Sequence, residues 1–208
     1  MIVGARKGRH YKHLSVIRMH KLTHQEILTL RKENKSKECS PISIVLNDVR
    51  SLYNVGAIFR IADGIRAEKI YLCGITGTPP NRAITKTALG AEETISWEYQ
   101  SDACALLLAL KSRGDYLIAM EHTDESFLYS EVRPTFPVCL VVGNEVSGVD
   151  PEILGLVHCA VQIPMLGEKN SLNAAVAAGI VSYEILAKLG RGEKAFDFVL
   201  NQLKPDGV

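Results

Sequence analysis

A recurrent alternation between short, almost wholly apolar runs and longer amphipathic stretches restricts this chain more than any other feature. "ISIVLN" (42–47), "KIYLCG" (69–74), "TISWEY" (94–99), "YLIAM" (116–120), "VCLVVG" (138–143) and "AVQIPM" (160–165) read as six strands. Between them, "NVGAIFRIADGI", "NRAITKTALG" and "DACALLLALKSR" carry helical spacing, the last two ending at Gly90 and Gly114. A further helix begins near Asp150-Pro151, "SLNAAVAAGIVSYEILAKLG" forms a long one, and the tail "RGEKAFDFVLNQLKPDGV" can add a last short helix. Strands that are apolar on both faces need cover on both faces, and strands separated by helices are joined by crossovers. The expectation is an α/β fold: a parallel sheet covered by helices on both faces.

At 208 residues the chain can bury one sizeable core with an appendage. Its hydrophobic content of 47% and net charge of +1 are those of a folded protein, not a disordered one. No apolar run reaches the ~18 residues of a membrane span, and the start shows no signal peptide, so a cytoplasmic protein without membrane contact is expected. Cys39, Cys73, Cys104, Cys139 and Cys159 form no C-x-x-C pair. Three of them fall in strands, where a free thiol packs as a small hydrophobe.

The near-zero net charge conceals an asymmetry. Met1 to Lys37 holds ten Lys or Arg against Glu26 and Glu33, leaving the remainder net acidic. A basic arm of this kind suits a polyanion, with Arg6, Lys7, Arg9, Lys12, Arg18 and Lys21 as the candidate contacts. A solvated charged face explains the same run equally simply. "LTHQEILTLRKENKSK" within it has the pattern of an amphipathic helix. His20 and His24 have a helical metal spacing but no set of partner ligands that completes a metal site, so none is expected. The resulting organisation is a basic, partly helical extension over 1–40, one domain over 41–190 and a tail over 191–208.

In open parallel sheets ligands bind beyond the carboxyl ends of the strands. Three such ends carry conspicuous polar residues. Asn54 and Arg60 follow the first strand, Gly143-Asn144-Glu145 follows the fifth, and Ser171 and Asn173 follow the sixth. Taken singly each has a plain structural explanation: Asn54 and Ser171 as helix N-caps, Glu145 as an acid favouring a helix start, Arg60 as a surface arginine. Their convergence on one edge is harder to explain that way. The familiar alternatives lack their signatures: there is no G-x-G-x-x-G, no G-x-x-x-x-G-K-[ST] and no G-x-S-x-G.

"NVGAIFRIAD", "VVGNEVSGVD" and "IPMLGEKNSLNAAVAAGIVSYE" together resemble, in order, the three motifs of the SpoU (TrmH) branch of the SPOUT RNA methyltransferases. The resemblance spans roughly residues 42–189. It implies a deep trefoil knot near the C-terminus, an exception to the rule against threaded chains. It also implies a homodimer that binds S-adenosylmethionine within the knot and methylates a ribose 2′-hydroxyl of RNA. By the same resemblance Gly143, Ile163, Met165 and Leu172 would hold the cofactor, with Glu121 in the loop that closes the pocket. Asn54, Arg60, Glu145, Ser171 and Asn173 would form the polar catalytic site. An arginine keeps its proton, so Arg60 is expected to pin a phosphate and stabilise developing alkoxide rather than act as a base.

Two positions depart from the family pattern. Val146-Ser147 precede Gly148 where glycine often follows Asn-Glu directly, and Ala174-Ala175 stand where Val-Ser is common. Both flank the expected site, so they bear on target choice more than on chemistry. With only about forty residues ahead of the motifs, a tRNA target is favoured over ribosomal RNA, the D-loop guanosine first, and DNA is not expected. Two readings remain open beside this one: an RNA-binding module of the same fold without catalysis, and a flavodoxin-like nucleotide binder whose polar residues are merely caps.

Overall fold

The computed structural model describes residues 20–33 and 38–189. Arg6, Lys7, Arg9, Lys12 and Arg18 of the basic arm, and the tail 191–208, lie outside the described residues. Residues 1–37 and 38–208 form separate units. In the first, helix α1 (His24–Glu33) starts at a reciprocal cap. Thr23 Oγ1 accepts from the Glu26 N–H (3.3 Å), and the Glu26 carboxylate accepts from the Thr23 N–H (2.6 Å). Lys21 is exposed.

The second unit is built on a seven-stranded, wholly parallel sheet. Its strands are β1 (Ser40–Asn47), β2 (Ala67–Cys73), β3 (Trp97–Gln100), β4 (Tyr116–Met120), β5 (Phe127–Leu128), β6 (Val138–Val142) and β7 (Cys159–Gln162), in the spatial order β3-β2-β1-β6-β4-β7-β5. The helices are α2 (Leu52–Ile65), α3 (Arg82–Ala88), α4 (Ala91–Thr94), α5 (Ala103–Arg113), α6 (Pro151–Leu154) and α7 (Ala174–Lys188).

Residue alternation divides the interior into two cores. Ile42, Ile44 and Leu46 of β1, with Leu140 and Val142 of β6, pack beneath Phe59 of α2 and Val181 of α7. The odd-numbered partners Val45, Cys139 and Val141 face the other way, toward Leu107 of α5 and Ile153 of α6. Both sets are fully or almost fully buried. This is why the central strands read as continuous apolar runs. Cys73 and Cys139 are buried packing residues, as expected of thiols in strands.

Four boundaries differ from the sequence reading, each for a local reason. The third strand begins at Trp97, not Thr94, because residues 91–94 form α4 after a turn through Leu89 (φ 55°) and Gly90 (φ 91°). The sixth expected strand stops at Gln162, two residues before Pro164, which has no N–H to give a ladder. A seventh strand, Phe127–Leu128, was not anticipated: two residues, both exposed, leave no periodic signal. Finally, α2 is capped by Ser51, not Asn54, and α7 by Asn173, not Ser171.

From β1 the strand order runs outward through β2 and β3 on one side, while all later strands lie on the other. The order therefore reverses beside β1, where crevices form at the carboxyl ends. The connections leaving β1, β4, β6 and β7 all emerge at that edge.

Candidate active site at the carboxyl edge

The loop leaving β6 is a tight, closed structure. Asn144 and Gly148 exchange backbone hydrogen bonds, N–H to carbonyl, of 3.0 and 2.9 Å. Asn144 Oδ1 accepts from the N–H groups of Val146 (2.8 Å) and Ser147 (3.1 Å), while its Nδ2 donates to the Asp48 carbonyl (2.8 Å). A β-carbon on Gly143 would lie 2.3 Å from the Gly148 carbonyl oxygen. Gly148 has φ 75°, and a β-carbon there would lie 2.1 Å from Glu121 Oε2. Gly143 is thus required by close approach of backbone, and Gly148 by its left-handed conformation. Glu121, at the end of β4, ties the loop down: its carboxylate accepts from the Val149 N–H (2.7 Å) and its own neighbour His122 N–H (2.8 Å).

Beyond this turn, three loops are joined by a directed chain of side-chain hydrogen bonds. Asn173 Oδ1 accepts from the N–H groups of Ala175 (3.0 Å) and Val176 (3.3 Å) at the start of α7. Backbone N–H groups only donate, so the oxygen must face them and the Asn173 amide nitrogen must face outward. That nitrogen donates to Asn54 Oδ1 (3.0 Å), which leaves Asn54 Nδ2 to donate to Glu145 Oε1 (2.8 Å). The Glu145 carboxylate also accepts from the N–H groups of Arg50 (2.9 Å) and Ser51 (3.1 Å), at the entrance to α2. Each link fixes the orientation of the next, from a helix N-terminus to a carboxylate.

Burial pushes the Glu145 carboxyl up, but the donors from Arg50, Asn54 and Ser51 outweigh it and hold the group below its ordinary value. Glu145 is therefore an anion whose two oxygens are already occupied. It orients Asn54 and the first turn of α2, and it is poorly placed to take a proton from a substrate.

A cleft of about 390 Å³ opens beside this network. Its walls are the β4–β5 loop (Glu121, His122), the β6 turn from Gly143 to Gly148, and the β7–α7 connection with Ile163, Ser171 and Leu172. Glu145 and Asn173 line it as well. Eight of the ten catalytic and cofactor candidates thus belong to the cleft or to its hydrogen-bonded wall, counting Asn54 through Glu145 and Asn173. Met165 is half-buried but does not line the cleft. Arg60 lies farther along α2 with its side chain exposed, away from the lining. Ser171 is exposed and makes no hydrogen bond among the described residues.

Several contributors escaped the sequence reading. Arg50 and Ser51 act through backbone N–H groups, which leave no signature in side-chain identity. Asp48 takes φ 55° and accepts from the Ile75 N–H (2.8 Å), shaping the approach to α2. Its place directly after a strand, beside Asn47, was the available hint. His122, Gln162 and Asn170 also line the cleft.

No helix among the described residues is long and apolar enough to cross a membrane. A model of the SpoU rRNA Methylase family matches residues 41–183. The chain is 33% identical over 177 residues to a tRNA (guanosine(18)-2′-O)-methyltransferase of Aquifex aeolicus, covering 81% of this chain and 82% of that protein. Among solved structures, the A. aeolicus TrmH/SpoU tRNA modifying enzyme aligns with a TM-score of 0.69 and 31% identity, over 80% of this chain and 86% of that one. An AdoMet-bound rRNA methyltransferase from Sinorhizobium meliloti aligns with a TM-score of 0.65 and 28% identity, over 69% of this chain and 54% of that one. With the three motifs joined by hydrogen bonds beside one cleft and the family model matching more than half of its length, this chain belongs to the SpoU methylase family.

Proposed function

We propose that this protein is an S-adenosylmethionine-dependent RNA methyltransferase acting on a ribose 2′-hydroxyl. One observation carries the reading. Asn54, Glu145 and Asn173, distant in sequence, are hydrogen-bonded into one network on the wall of a cleft at the carboxyl ends of β4, β6 and β7. Caps alone do not need such a network, since Ser51 already caps α2 and leaves Asn54 free for Glu145 and Asn173.

The cleft suits the cofactor. Its volume is within the range of small-molecule sites, roughly 300–1,000 Å³. Met120, Val142, Ile163 and Leu172 give it apolar walls for a planar base, and the backbone at Gly143 is bare of side chain. S-adenosylmethionine would supply an electrophilic methyl group there. The chain's own work is positioning: the Asn54–Glu145 pair holds the start of α2 against the β6 turn, so that a 2′-oxygen can be presented in line. Arg60 makes no ion pair or hydrogen bond among the described residues, and it is available to hold an RNA phosphate and stabilise developing alkoxide charge.

The protein acts as a homodimer in this reading. Val176, Ile180, Tyr183 and Ala187 form an exposed apolar stripe along α7, at i, i+4, i+7 and i+11. Val176 and Tyr183 are each 52% exposed. Because Arg60 does not line its own cleft, a dimer lets it serve the cleft of the other copy. Mixed dimers of Arg60→Ala and Glu145→Ala chains recovering activity would demonstrate that. The β7–α7 segment is proposed to thread as the family's trefoil knot; Leu172 and Asn173 closing on the Gly143–Gly148 turn support it.

The RNA is proposed to be tRNA, with the D-loop guanosine as first candidate, in line with the A. aeolicus relative's name. The cytoplasm is the proposed place of action, with Arg6, Lys7, Arg9, Lys12, Arg18 and Lys21 gripping backbone phosphates. Ribosomal RNA is the second reading, favoured by the S. meliloti structure. Incubating the protein with labelled S-adenosylmethionine and separate tRNA and rRNA pools, then mapping 2′-O-methyl nucleotides, tests both. Label in neither pool, despite cofactor binding by calorimetry, would leave the non-catalytic RNA-binding reading in its place. Arg60→Ala is expected to abolish transfer while still binding the cofactor.

A further inference from the structure

The outer side of α2 and α3 carries cations that balance no carboxylate. Arg113 pairs with Asp115 and Glu68, Lys69 with Glu98, and Lys188 with Glu184. By contrast the side chains of Arg50, Arg60, Arg82 and Lys86 are exposed and have no ion pair among the described residues. Tyr53 sits among them, 53% exposed, with Lys86 Nζ 5.9 Å from its ring centroid. That is the outer limit of a cation–π contact.

Helical spacing places most of these groups on one face. On α2 Arg60 follows Tyr53 by seven residues, while Arg50 lies just ahead of the Ser51 cap, outside the helix. Arg82 precedes Lys86 by four on α3. The two helices are locked at this point, because the Thr87 hydroxyl donates to the Tyr53 carbonyl (3.0 Å). Tyr53 is also the immediate neighbour of Asn54, whose amide reaches Glu145 on the cleft wall. The backbone that carries the ring is therefore held in a fixed relation to the site.

An exposed ring amid unbalanced cations matches the recognition chemistry of an unpaired nucleotide: a planar base for the ring, phosphates for the cations. A duplex keeps its bases stacked inside and offers the ring nothing. We infer that Tyr53 stacks an unpaired base of the RNA next to the nucleotide whose ribose enters the cleft, with Arg50, Arg82 and Lys86 holding the flanking phosphates. This rests on the RNA methyltransferase reading.

The test uses the full chain and a fluorescently labelled single-stranded RNA, with binding followed by anisotropy across a salt series. Tyr53→Ala is expected to weaken binding roughly 5- to 150-fold, and Tyr53→Trp to restore it. The Arg82→Ala/Lys86→Ala double variant should lower the slope of log affinity against log salt by about 1 to 2. Cofactor binding by calorimetry, the melting temperature and the sedimentation of Tyr53→Ala should match wild type. Wild-type affinity in Tyr53→Ala, or no RNA binding by the wild type, overturns the inference. So does loss of dimer in Tyr53→Ala, which would assign the ring to a contact between copies. Methyl transfer by the wild type separates the two levels. Transfer with an indifferent Tyr53 retains the enzyme and removes this surface. Tyr53-dependent binding without transfer retains the surface and removes the enzyme.

Discussion

Two walls of the same cleft are built on opposite plans. The β6 turn, Gly143 to Val149, is closed by backbone bonds, an asparagine side chain and the Glu121 carboxylate. The β7–α7 connection faces it across the cleft, yet Pro164 to Leu172 makes no hydrogen bond among the described residues, and Leu166 is fully exposed. One wall is finished before any ligand arrives. The other is anchored only at its ends, by β7 and by Asn173. The contrast teaches how such a site divides its labour: the finished wall fixes where a ligand sits, and the open wall is left for the ligand to order.

The largest effect should come from breaking the finished wall. Gly143→Ala forces a β-carbon into the Gly148 backbone, and a loss of about 2–4 kcal/mol in chemical denaturation is expected, together with loss of cofactor binding. A stable, cofactor-binding Gly143→Ala protein would mean that the turn is far more pliable than its bonding suggests. Asn173→Ala comes next. It removes the α7 cap and strands the Asn54 oxygen, for about 1–2 kcal/mol in the same measurement, whereas Ser171→Ala should stay within about 0.5 kcal/mol.

The pH dependence of the Glu145 anchor sharpens the comparison further. Its carboxyl is held below the ordinary value, so the stability it contributes is fully present above that value. It is lost as pH falls through the lowered one. Denaturation midpoints of wild type and Glu145→Gln should differ at pH 7 and converge only in strong acid. Convergence already at pH 6 would mean the anion is not what the network stabilises.

At the open wall, Leu166→Ala should change stability by less than about 0.5 kcal/mol. Amide exchange across 164–172 should slow when S-adenosylhomocysteine binds, with little change in 143–149. Equal slowing of both loops would erase the proposed division.

The sheet was legible where strands are buried on both faces. β1 and β6 announce themselves because every residue must be apolar or small, and α5 because Asp102 and Gly114 mark its ends. Legibility failed where burial failed. Phe127 and Leu128 form an edge strand from two exposed residues, and Thr94–Ser96 looked like strand through β-branching although the turn at Leu89–Gly90 carries the chain into α4. At the site, residue types and loops were readable, since asparagine and glutamate at strand ends are conspicuous. Their partners were not. Glu145 binds backbone N–H groups ninety-odd residues earlier, and no pattern in the letters encodes a bond made by main chain.

The bond from Asn173 to Asn54 also says something about timing. A protein is made from its first residue onward, and position 173 is synthesised long after position 54. Until α7 has emerged and docked, the Asn54 amide lacks the Asn173 donor that orients it, and the pocket lacks a side. A half-made chain on the ribosome, surrounded by RNA, would thus be chemically silent, becoming competent only once α7 is in place.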